Sequence, residues 1–175
     1  MNKEQKKKAE NYIFYPLLAS TVVIFIISPA YIDPNNRFDH MLNNLIDHYL
    51  LGNGYYSPTY YPFAAKITNS FSVVLAIIAG VFVGILRKDG IEYVSKSLWF
   101  ACLVMLGLGI ATFFLSLNPQ EFREPTFRRS FGTSESFHNN PVLFLFMMIV
   151  KQVCIYAGIR VPLSLMLYYI DKIRK

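Results

Sequence analysis

The stretch ITNSFSVVLAIIAGVFVGIL, from Ile67 to Leu86, decides the fold class. It holds twenty residues and no charge. A helix rises about 1.5 Å per residue, so this run is about 30 Å long, the thickness of a bilayer's hydrocarbon core. Lys66 stands before it, and Arg87-Lys88-Asp89-Gly90 follows. Working outward, three more apolar blocks appear: about residues 12–32, 97–117 and 141–170. The block from Ser97 to Leu117 is also free of charge and ends at Asn118-Pro119. Charged residues make up only 16% of the 175-residue chain and gather between the blocks. The pattern predicts a single all-α integral membrane domain over residues 1–175 with four transmembrane helices.

Orientation follows from where lysine and arginine fall. The N-terminal tail, the loop from Arg87 to Lys96 and the C-terminal tail together carry ten, whereas the loops 33–62 and 118–140 carry four. Basic loops stay on the cytoplasmic side, so both termini are expected there, in a multi-pass protein of the inner membrane. The net charge of +6 is thus explained by topology, and no nucleic-acid partner is expected. The basic start, with Ser28-Pro29-Ala30 further on, is also compatible with a cleaved leader. The first block is long for that and three more follow, so an uncleaved helix is expected.

Within the loop 33–62, Phe38, Met41, Leu42, Leu45, Ile46, Tyr49 and Leu50 recur at helical spacing. This predicts a short amphipathic helix in the first periplasmic loop, lying on the outer membrane face. His40, Asn44, Asp47 and His48 share a side of it and are potential metal ligands. The same residues serve as its polar face, and no metal or other cofactor is expected. Cys102 and Cys154 lie in apolar blocks and read as buried thiols. No nucleophile motif or phosphate loop occurs, so no enzymatic activity is expected.

Two features mark candidate contact sites. Ser72, Ala76, Gly80 and Gly84 stand four apart and share one helix face. Small residues so placed let a second backbone approach, either from the same chain or from a partner. Gly107 and Gly109 are weaker marks of the same kind. Lys151 and Arg160 interrupt the last block, and Pro162 should bend it. An ionised group at mid-bilayer costs roughly 2.5–3.5 kcal/mol on insertion scales. Lys151 therefore needs polar partners, for which Ser70, Ser72, Thr112 and Gln152 are available, or a carboxylate from another protein. Helix-mediated self-association is a further expectation of the small-residue face.

The layout resembles the inner-membrane immunity proteins for pore-forming colicins of the A type. The resemblance is carried by the basic, Asn-containing start before Tyr12, by Ser57-Pro58-Thr59 and Tyr61-Pro62 leading to Lys66, by Arg87-Lys88, and by a long last helix expected to break near Pro162 and ending in a basic tail. The chain departs from that pattern in carrying Lys151 and Arg160 in its final block. What the resemblance implies is protection of a bacterial cell from a pore-forming toxin, through contact with the toxin's channel-forming helices inside the bilayer. A small transporter or channel subunit with Lys151 on the path, or an accessory subunit of a larger membrane complex, is the alternative.

Overall fold

A computed structural model describes residues 3–50, 56–86, 96–117, 120–122 and 133–174. Six helices account for most of them: α1 (Lys3–Ile27), α2 (Arg37–Tyr49), α3 (Pro62–Leu86), α4 (Lys96–Leu117), α5 (Glu135–His138) and α6 (Pro141–Ile173). No strand occurs among the described residues, only an isolated bridge between Tyr56 and Gln120. Four of the helices, α1, α3, α4 and α6, are long and apolar enough to cross a membrane.

The helix ends follow local chemistry. α1 begins at Lys3, well before the expected Tyr12, because its basic tail continues the helix. It stops at Ile27, short of the expected 32, since Pro29 disfavours helical backbone at Ser28. α3 begins five residues early at Pro62, whose fixed φ suits a first helical position. α6 starts where expected, with the Asn140 side chain accepting from the Val142 and Leu143 amides. It then runs unbroken through Pro162 to Ile173. Its 33 residues make it about 50 Å long, more than one crossing needs.

The spans form an open row, not a closed ring. α3 and α6 share the largest contact; α1 lies on α3, and α4 leans on α6 while barely touching α3. Side chains are distributed inside-out relative to a protein in water. Thr21, Asn69, Ser70, Ser72, Gln152 and Ser164 are buried, while Ile26, Phe82, Phe100, Phe114 and Phe146 point outward. A lipid-facing surface rewards that arrangement, because hydrocarbon accepts the large apolar groups and polar groups must find partners inside.

One end of the row carries both termini; the other carries the longer loops. At the loop end, α2 is held against α3 by Ile46, Leu42 and Leu50, packed on Phe63 and Ile67. Lys66 reinforces the contact, 2.5 Å from Asp47 and donating to Asn43 at 2.6 Å. The rest of the amphipathic face, Phe38, Met41, Leu45 and Tyr49, stays exposed. Residues 133–140 lock on nearby: Tyr56 stacks on His138 with ring centroids 4.1 Å apart, and Thr59 bonds to Asn139 and Glu135.

Candidate functional site

The small-residue face of α3 is filled from within the chain. A side chain added at Gly80 would place its Cβ 3.1 Å from Ile159 and from the Tyr156 carbonyl; one at Gly84 would meet Leu163 at 2.9 Å. Ser164 donates to the Gly84 carbonyl at 2.9 Å. Ala76 is fully buried among Leu17, Val73 and Ile155, and Ser72 bonds to Thr21 of α1. Ser72, Ala76, Gly80 and Gly84 thus all face other helices of the same chain here. Of the two readings open in the sequence, contact with another helix of the same chain is the one the packing takes.

A second glycine contact joins Gly109, a weaker mark in the sequence, to Gly158, which the sequence did not mark. Gly109 of α4 and Gly158 of α6 touch backbone to backbone, and a Cβ built on Gly158 would lie 2.6 Å from the Gly109 Cα. Gly107, two residues along α4, faces open space instead. Gly158 carries no four-residue repeat of small neighbours, so spacing gave no signal for it.

Between α1, α3 and α6 lies a buried polar layer. Lys151 donates to the Asn69 side-chain oxygen at 2.6 Å. Thr21 donates to the Gln152 oxygen at 2.9 Å, which uses its one hydroxyl hydrogen. Ser72, 3.0 Å from the Thr21 oxygen, must then be the donor of that pair. The buried Ser70 hydroxyl and Gln152 amide nitrogen have no hydrogen-bond partner among the described residues, at a cost of about 1–3 kcal/mol each if left unmet. Lys151 stands about ten residues into α6, roughly 15 Å from Pro141 along the helix. Asn69 was not among Ser70, Ser72, Thr112 and Gln152, the polar groups singled out from sequence. Thr112 instead donates to Leu108 within its own helix.

Arg160 also finds a partner inside the chain. Its guanidinium lies 2.5 Å from Glu10 of α1. Glu10 precedes the first apolar block, so only the extension of α1 to Lys3 brings it into the bundle. The pair is partly exposed, at 26% and 15% of the two side chains, which screens it. We expect Arg160→Met or Glu10→Gln alone to cost about 1–2 kcal/mol, less than a fully buried pair broken on one side. Arg160→Met with Glu10→Leu should recover most of that loss. Thermal unfolding in detergent checks it, and equal loss in single and double variants would show that the pair does not hold α1 to α6.

At the loop end the polar groups serve structure. The Tyr61 hydroxyl donates to the His138 carbonyl, and burial pushes that hydroxyl up to about 12, so it stays a donor near neutral pH. Asp39 accepts from the Asp33 amide and from Asn36, and Asp47 is taken up by Lys66 and Asn43. No group of three metal-binding side chains occurs among the described residues.

Inward polar groups, outward apolar ones and four long apolar helices define a polytopic α-helical membrane protein. No protein-family model, curated protein or solved structure matches the chain.

Proposed function

We propose that this chain is an immunity protein of the bacterial inner membrane, protecting the cell from a pore-forming bacteriocin of the colicin type. In this proposal it binds the toxin's channel-forming helices within the bilayer and keeps the pore from opening, without catalysis. Support comes from the resemblance carried by residues 57–66, Arg87-Lys88 and the Pro162-containing last helix. The observation of the structure that carries most is Lys151. It sits at the rim of the polar layer, half-buried where Gln152 is fully buried. α3, α4 and α6 hold no acidic residue before Asp171, and a toxin helix lying against them would bring any carboxylate of its own toward that ammonium. Inside lipid, apolar transfer does not discriminate between helices; packing and hydrogen bonds do.

Both termini are proposed to face the cytoplasm, from the ten-to-four excess of basic residues. α2 then lies at the periplasmic face, with Phe38, Met41, Leu45 and Tyr49 turned to the outer leaflet. Reporter fusions at Asn53, Asp89, Ser134 and Lys175 should read out, in, out and in, and an extracytoplasmic signal at Asp89 or Lys175 would overturn the orientation. Expression in a sensitive bacterial strain should prevent depolarisation by one pore-forming toxin of a panel and not by the others. Protection against none, including any toxin encoded beside the gene, would remove the immunity proposal.

The polar layer also suits a small transporter or channel subunit, with Lys151 on the path. Solute or ion flux through proteoliposomes containing only this chain distinguishes the two, since an immunity protein conducts nothing on its own.

A further inference from the structure

α4 and α6 touch backbone to backbone at Gly109 and Gly158, and beside that contact, toward the end that carries the termini, lies an apolar groove. It holds about 740 Å³, open to the side and lined by apolar residues that include Leu103, Leu106, Pro162 and Met166. Trp99 and Tyr169 stand at its terminal end, with ring centroids 5.5 Å apart. Among the described residues, no charged side chain lines it. We propose that the groove holds one acyl chain of an anionic phospholipid, whose headgroup rests against Trp99, Tyr169 and the basic end of α6.

Three physical arguments fix the occupant. An apolar groove this large does not stay empty beside hydrocarbon, since its lining would forfeit dispersion contacts, and water there would find no hydrogen-bond partners. The groove opens to the side, so a narrow, flexible alkyl chain can enter it directly from the bilayer. Trp and Tyr collect at the headgroup level, which places this pair at the boundary where an acyl chain meets its headgroup. Lys172 and Arg174 are exposed there, and α4 begins at Lys96. Asp171 opposes them, but the lysine and arginine outnumber it. Basic residues at a membrane surface favour anionic headgroups.

This inference requires only that the four helices cross a bilayer; it stands or falls separately from toxin immunity. The test is native mass spectrometry of the full chain released from mild detergent, after exposure to equal amounts of phosphatidylglycerol and phosphatidylcholine. One phospholipid should be retained, with phosphatidylglycerol preferred. Lys172→Gln and Arg174→Gln should each lower that preference about fivefold. Met166→Trp fills the groove and should release the lipid while the unfolding midpoint is kept. Leu103→Trp, from the opposite wall, repeats the test if Met166→Trp does not accumulate. Equal lipid retention by wild type and groove-filled variants would overturn the proposal, as would a wild-type protein carrying no lipid or a co-purified polypeptide displaced by Met166→Trp.

Discussion

Gly158→Leu should drive α4 off the bundle, whereas Gly107→Leu should leave it in place. The atoms a new Cβ at Gly158 would meet are the Gly109 Cα at 2.6 Å and the Met105 carbonyl at 2.9 Å. Both belong to the backbone of α4, so no rotamer change relieves the clash, and the whole helix must move. Apart from α6, α4 has little to hold it, since among the described residues it barely touches α3 and does not pack on α1. Overpacking a well-packed contact costs about 1–3 kcal/mol, and unyielding backbone puts this variant at the upper end. At this chain length that loss lowers the unfolding midpoint by roughly 5–10 °C. Gly80→Leu and Gly84→Leu should fall between, because the atoms they meet include the side chains of Ile159 and Leu163, which can shift. At Gly107 nothing lies within 4 Å, so leucine there adds only lipid-facing surface. The measurement is thermal unfolding in detergent with membrane levels recorded. Equal destabilisation by Gly107→Leu and Gly158→Leu would mean that intrinsic helix properties, not the crossing, set the stability.

The four spans were legible because each rests on a one-dimensional property: a long apolar run that holds few charges or none. The run from Ile67 to Leu86 needs no knowledge of its neighbours to be a helix in lipid. α2 was legible for the same reason, since its apolar residues repeat along a single segment. Helix ends were less so, because continuation of α1 through Glu4 and Lys8 is a polar matter that hydropathy does not see. The contacts were mostly illegible. Asn69 opposite Lys151, Glu10 opposite Arg160 and Gly158 opposite Gly109 all depend on how far one helix slides along another. That register is set by packing across sequence separations as large as 150 residues, as between Glu10 and Arg160. A spacing pattern within one helix, such as Gly80 and Gly84, shows that some backbone comes close but not whose.

The largest functional effect is expected at Lys151. Lys151→Met keeps length and removes the ammonium, so insertion into the membrane should improve or stay the same. It also strips the Asn69 oxygen of its donor, and that loss has to be separated from any effect on a toxin. Asn69→Leu made together with Lys151→Met removes both partners and replaces them with apolar groups, which for a buried polar pair is often neutral for folding. The double variant should therefore reach wild-type membrane levels and unfold near the wild-type midpoint. If Lys151 meets a toxin carboxylate, protection should fail in the single and double variants alike, since the toxin would carry an unpaired buried charge costing about 3–5 kcal/mol, a hundredfold or more in affinity. Asn69→Leu alone, which keeps the ammonium but removes the Asn69 oxygen it donates to, should still protect where it accumulates. A double variant that protects as well as the wild type would assign Lys151 to the internal polar layer alone, and the toxin would then have to be recognised elsewhere on the bundle.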